Sequence, residues 1–344
     1  MKLHAIKPTT FDKDLDYFPL YEGLKPSAMG LKKLKTFAQD SSERNKTFQF
    51  GESFSELRKS KEICRTERLG KYYQKTNEVF PEIIQYIVKS LVEENPQHFK
   101  LETTSDITTL VCLHTDEELV FNDKWELVDQ KTNLSVPFVD AFDALAMQVP
   151  EDLVIHKIPS GQINPFKSEE DKRDYAAYIH LCHCNGWNAE WALNKTFNKI
   201  HEFVPRINEI VPNATRMMLS FLNQEWRFER VAAISFKTSH FINRHEEDMK
   251  LWAKPFLLKD PCMNLRVERQ TVRGFPKSEA FLFTIRTYLY NLDVSQSEVE
   301  EDIKTKRREK ILETFNNPDP KSYAHNVIVK HQKKVLKWLN KGQK

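Results

Sequence analysis

Apolar residues recur along this chain with two different periods, and the switches between them mark its elements. Residues 53–64 read as a helix with Ser53 as its N-cap. A helical pattern follows over 69–95, which Pro81 divides. Beyond that proline Ile83, Ile84, Ile87, Val88 and Leu91 share one helical face, until Asn95-Pro96 ends the segment. Tyr72 and Tyr73, just before it, read as core. Strand character then takes over at 99–102, 107–113 and 118–121, closed by a turn at Asn122-Asp123. A short helix is predicted at 137–146 and a strand carrying His156 at 152–158. Residues 168–177 start helically under a Ser168/Asp171 capping pattern, and 178–183 fit a strand or a continuation of that helix. Asn188 caps a predicted helix over 189–200, with Leu193, Phe197 and Ile200 on one face and His201 at its end. Residues 213–221 read as a short helix and 225–236 as a strand.

The most distinctive stretch is 265–290, LRVERQTVRGFPKSEAFLFTIRTYLY, which reads as a β-hairpin around a Gly/Pro loop. Its first strand carries Arg266, Glu268, Arg269 and Gln270. Its second alternates Phe281, Phe283 and Ile285 with Thr284, Arg286 and Tyr288, as a sheet with two unlike faces requires. A register that keeps the faces unmixed sets Glu268 opposite Arg286, Gln270 opposite Thr284 and Arg266 opposite Tyr288. The polar face is then either a solvated charge ladder or the wall of a pocket. From residue 295 the chain is charged and helical.

These patterns predict an α+β fold: an antiparallel sheet with flanking helices and a helical C-terminal extension. The expected divisions are a mostly helical segment over 1–98, a sheet-bearing core over 99–294 and a charged extension over 295–344.

Composition narrows the chemistry. The 344 residues carry 52 Lys+Arg against 49 Asp+Glu, so no global charge argues for nucleic acid or an anionic membrane as partner. No apolar run reaches the ~18 residues that span a bilayer, and the N-terminus lacks a signal-peptide core. Five cysteines point to a reduced, cytoplasmic protein rather than a disulfide framework. Only 8 glycines are present, and neither G-x-G-x-x-G nor G-x-x-x-x-G-K-[ST] occurs, against a nucleotide-binding loop of the usual kind.

Three groups of residues carry candidate chemistry. Cys182-His183-Cys184 offers soft ligands, but with C-x-C spacing and alternating strand faces buried thiols compete with a metal site. His201 is either a helix-end cation or an axial haem ligand beside a slot of Phe197, Ile200, Phe203 and Val204. The third group is the polar face of the hairpin.

The hairpin resembles the signature of the haem-dependent oxidative N-demethylase alpha-subunit family, close to RVERQTLRRLPxSxAxxFTIRTY. Two further stretches match in order: Pro150-Glu151-Asp152-Leu153, where the family has Q-E-D-L, and Asn185-Gly186-Trp187 followed by Ile200-His201-Glu202-Phe203-Val204-Pro205. Together they cover about residues 20–295, with departures at Pro150, Cys184, Phe203 and Gly274-Phe275.

This resemblance implies a PAS-like haem-binding core, haem b as cofactor, and oxidative N-demethylation of a small amine with O₂. Electrons would come from a reductase subunit carrying flavin and iron–sulfur centres. It further implies His201 as the iron ligand, with Arg269, Tyr288 and Trp187 also at the cofactor, and Glu268, Arg266, Gln270 and Arg286 around the reacting amine. A non-enzymatic haem or small-ligand sensor on the same scaffold is the alternative, and a ligand-free scaffold that binds through its charged C-terminal helices is a third reading.

Overall fold

The computed structural model of the protein describes residues 17–22, 32–51, 53–158, 174–183, 187–202, 222, 227–237, 264–320 and 325–341. The expected helix over 213–221, residues 168–173 of the predicted helical start, and Cys184 with Phe203-Val204-Pro205 lie outside them. The fold is α+β, built on antiparallel sheets. The strands are β1 (Lys32–Lys33), β2 (Tyr73–Lys75), β3 (Phe99–Thr103), β4 (Thr108–Cys112), β5 (Glu117–Phe121), β6 (Leu127–Lys131), β7 (Asp152–Lys157), β8 (Tyr175–His180), β9 (Arg227–Lys237), β10 (Asn264–Phe275) and β11 (Ala280–Asn291). The helices are α1 (Phe54–Tyr72), α2 (Pro81–Glu94), α3 (Ala141–Met147), α4 (Ala189–Ala192), α5 (Phe197–His201), α6 (Glu301–Asn316) and α7 (His325–Lys341).

One sheet runs β1-β9-β10-β11-β7-β8-β2 and the other is the meander β3-β4-β5-β6. The first core lies between them. Ile83, Ile87, Val88 and Leu91 of α2, all fully buried, meet Leu110 and Leu119 of the meander, Leu145 of α3 and Leu153, Ile155 and Leu282 of the large sheet. Each such side chain contributes roughly 1.5–3 kcal/mol by leaving water. A second core gathers Leu265, Val267, Tyr288 and Tyr290 with Tyr17 and Phe18, and with Ile311, Phe315, Ile328 and Val335 of the two C-terminal helices.

Several local expectations give way to tertiary pairing. The 69–95 pattern is divided, with Pro81 at the first turn of α2, and Tyr73–Lys75 leaves the helical pattern to pair with β8. Residues 175–180 are strand between β7 and β2, which overturns the helical reading at 175–177 and settles 178–180 as strand. The helix expected over 189–200 is two short helices. Asn194 takes a left-handed φ of 61°, ending the first, and Thr196 caps the second by accepting from Lys199 N.

The hairpin register differs by one residue from the expected one: Glu268 lies opposite Thr287, Arg269 opposite Arg286 and Gln270 opposite Ile285. The loop decides this. Pro276 to Glu279 closes as a tight turn, with Glu279 N donating to Pro276 O at 3.1 Å and Glu279 at φ 48°, so Ala280 is the first residue to pair, against Phe275. Arg266, Glu268 and Gln270 therefore share a face with Phe283, Ile285, Thr287 and Leu289, while Arg269, Arg286 and Tyr288 lie on the other. Leu265 and Val267 are on the face away from Glu268, as expected.

His114 sits among Phe50, Phe54 and Phe99, and burial holds its imidazole down to about 4. A depressed histidine binds its proton more readily in the unfolded chain. Stability is thus complete above pH ~6.5 and declines as the pH falls through that value toward about 4. Urea titrations at pH 7.5 and ~5 should show this fall, and His114→Phe should reduce it.

Candidate functional site

His201 closes α5, a helix of 5 residues whose placement rests on a buried acid. Asp174 Oδ2 accepts from Phe197 N at 2.7 Å and meets His156 Nε2 at 2.7 Å, so one carboxylate ties the start of α5 to β7. His156 is thereby a satisfied core residue, stacked on Phe281 with ring centroids 5.2 Å apart. At the other end of α5, His201 Nδ1 donates to Phe197 O at 2.8 Å and the imidazole stacks on the Phe197 ring at 4.0 Å. With the proton on Nδ1, the ring lone pair lies on Nε2.

Trp187, Trp191, Leu193 and Ile200 pack against Val154, Ile179 and Ile285, with Phe283 beside them. This apolar cluster binds α4 and α5 to one particular face of the large sheet. Ile285 pairs with Gln270, and Phe283 with Val272, so it is the face that carries Arg266, Glu268 and Gln270. That polar row is almost fully buried. Glu268 Oε1 pairs with Arg266 Nη1, and Oε2 accepts from Gln270 Nε2 at 2.8 Å. Arg266 also donates from Nη2 to His183 O at 2.9 Å and to Thr287 Oγ1 at 3.0 Å. The Glu268 side chain keeps 10% of its surface exposed against 1% for Arg266, so the carboxylate is the accessible member of the pair.

The opposite face holds the rest of the predicted site residues. Arg269 donates to Glu229, to Lys46 O at 2.7 Å and to Thr47 O at 3.2 Å, sewing the sheet to the segment before α1. Tyr288 donates to Gln49 Oε1 at 2.6 Å and stacks on Tyr17. Arg286 Nη2 donates to Ser53 Oγ at 3.1 Å, and Ser53 makes no side-chain cap to α1. The sheet thus brings Arg266, Glu268, Gln270 and Trp187 to the side of α5. It separates them from Arg269, Arg286 and Tyr288, which serve the packing of the N-terminal segment.

The chain matches the haem-dependent oxidative N-demethylase, alpha subunit-like family over residues 38–323. It belongs to that family. No curated protein matches it. Among the described residues no helix is long and apolar enough to cross a membrane.

Within this family member, two groups that the sequence did not assign to the polar row lie beside it. Asp152 accepts from Cys182 N at 2.9 Å and His183 N at 2.7 Å. Its burial pushes the carboxyl up to about 6, against the pull of Lys61 and those two amides. His183 is fully buried and, among the described residues, neither ring nitrogen has a hydrogen-bond partner. Burial first, and then the charges of Lys61, Arg286 and Arg266, hold it well below the usual histidine range, so it is neutral. Its place in the Cys182-His183-Cys184 string drew attention to metal chemistry. The contact of Arg266 with its carbonyl, 83 residues away in sequence, is what brings it to the site.

Proposed function

We propose that this chain is the haem-binding subunit of an oxidative N-demethylase acting on a small amine, in which His201 would hold the haem iron and Glu268 would receive the amine. The single observation that carries the reading is the shared face. Ile200, next to His201, packs into the same apolar cluster as Ile285, and Ile285 lies opposite Gln270 in the row that contains Glu268. This arrangement supports a PAS-like use of the sheet, in which short helices and one sheet face would hold the cofactor.

The residues present suit haem b. The Nδ1–Phe197 carbonyl bond is the outer contact that orients a ligating imidazole through Nε2. Trp187, Ile200, Phe283 and Ile285 form the apolar cluster against which a flat macrocycle would rest. When bound, the haem supplies an iron centre that takes electrons and activates O₂. In the net reaction an N-methyl group leaves as formaldehyde while O₂, two protons and two electrons yield one water. The electrons come from a reductase partner bearing flavin and iron–sulfur centres.

The chain's own residues bind and orient. Glu268 has lone pairs beyond those used by Arg266 and Gln270, and an ammonium in a poorly solvated site gains a charge-assisted hydrogen bond from it. Arg266 and Gln270 hold the carboxylate rotamer, and Thr287 and the His183 carbonyl hold Arg266.

The test is a titration of the haem-loaded protein with small secondary amines, followed by O₂ uptake and formaldehyde release with an electron donor. Glu268→Gln should weaken amine binding by about 10–100-fold, the ~1.5–3 kcal/mol of a hydrogen bond to a charged group, and leave haem content unchanged. Equal amine affinity in the two proteins would refute the role of Glu268.

A further inference from the structure

A second set of donors lies under α1, where β7 begins and β8 ends. Asp152, His180 and Cys182 each offer one ligand atom, and the three atoms lie within 4.8 Å of one another, all in fully buried residues. His180 Nδ1 is 4.0 Å from Cys182 Sγ. Ligand atoms around a tetrahedral zinc-type ion stand about 3.3–3.8 Å apart, so a contraction of about an ångström closes the set.

Two further observations fit metal ligation. On its far side His180 Nε2 stands 3.3 Å from Asp143 Oδ1, and Asp143 is itself paired with Arg65. A carboxylate behind an imidazole is the usual outer contact of a metal-bound histidine, fixing the ring with Nδ1 toward the ion. Cys64 of α1 lies against Cys182, with its Sγ 3.8 Å from the Cys182 carbonyl, and neither thiol is in a disulfide. The Cys64 sulfur donates to that carbonyl and stands outside the three-donor set, so a turn of its side chain would bring in a fourth donor from a third element.

We propose that Asp152, His180 and Cys182, with Cys64 as the fourth donor, bind one divalent zinc-type ion that pins α1 to the junction of β7 and β8. The site is structural: its donors come from three elements, and its burial leaves no open position for substrate. Charge balance favours it. The ion brings two positive charges while the two thiols release two protons, so the buried charge is unchanged on loading. Lys61 opposes a bare dication nearby, and the two thiolates offset that opposition. The three donors of Lys61 already go to the carbonyls of Ala146, Val149 and Glu151, at 2.8, 3.0 and 2.5 Å, and each Asp152 oxygen, which accepts one backbone amide, keeps a further lone pair for the ion.

The proposal is independent of haem binding and is read by a different element. The full chain, expressed with added zinc and passed through a mild chelator, is analysed for zinc by elemental analysis and zinc-edge X-ray absorption. The expected result is about one zinc per chain with a mixed sulfur and nitrogen/oxygen shell, at ~2.3 and ~2.0 Å. Cys182→Ser should lose most of that zinc, and added zinc should raise the melting temperature of the parent but not of the variant. A chain that retains under about a tenth of an equivalent overturns the proposal. So does a zinc shell of nitrogen and oxygen alone, which is an adventitious ion only, or a Cys182→Ser protein that keeps its zinc. If Cys182→Ser does not fold, the absorption edge of the parent chain decides between the same outcomes.

Discussion

His201→Ala is expected to abolish haem retention: the variant should purify folded but without a Soret band. The side chain is half-buried at the end of a short helix, stacked on Phe197 and hydrogen-bonded to its carbonyl, and its deletion leaves the buried core intact. If His201 holds the iron as proposed, the effect on haem is large, because losing a direct ligand exceeds the roughly 10–100-fold typical of losing an outer contact. Asp174→Asn provides the comparison. It weakens the tether at Phe197 N and at His156 without removing the imidazole, and it should reduce haem affinity by less than His201→Ala does. Soret absorbance per folded chain, checked against circular dichroism, measures both. If His201→Ala keeps a normal Soret band, the axial ligand is another residue.

The second large effect is on stability. Arg269→Met should destabilise the protein by about 3–5 kcal/mol, because Glu229 stays behind as a buried, unpaired charge. The carbonyls of Lys46 and Thr47 lose their donor as well. Replacing both members of the pair by apolar residues should recover part of the loss, since an isosteric hydrophobic pair carries no stranded charge. Urea unfolding of the single and double variants gives the coupling directly. A shift below about 1 kcal/mol for Arg269→Met would show that the pair is solvated. By contrast, Lys199→Ala, which breaks the exposed pair with Glu202, should change stability by less than ~1 kcal/mol.

These contrasts show which parts of the molecule could be read from its residues. The face of α2 was legible because five branched apolar residues recur at helical spacing and all five are buried. The meander was legible at β3 to β5 from β-branched content, whereas β6, an edge strand with Val128, Asp129 and Lys131 exposed to solvent, carried no such signal. β2 has 3 residues and pairs with β8 about a hundred positions later, so nothing local marks it. The hairpin was recognisable, and its register was missed by one residue. Charge complementarity favoured Glu268 opposite Arg286, but the turn from Pro276 to Glu279 is worth more than one cross-strand pair of roughly 0.2–1 kcal/mol.

The candidate site divides in the same way. His201, Trp187, Glu268, Arg266 and Gln270 were singled out by type and motif, and the sheet places the last three in one row on the side of α4 and α5. Arg269, Arg286 and Tyr288 looked equivalent in the string. The parity of the strand sends them to the other face, where they hold the N-terminal segment. Asp174 was hidden because its partners, His156 and Phe197 N, lie 18 and 23 residues away on either side.

The account stands on the chain binding haem through the face that α5 and the Glu268 row share. Its most direct test is the absorption spectrum and haem content of the full chain, expressed with a haem precursor and iron. The account predicts about one haem per folded chain and a Soret band that shifts when a small secondary amine is added. A folded, haem-free protein under those conditions, or a Soret band indifferent to every small amine, would contradict it.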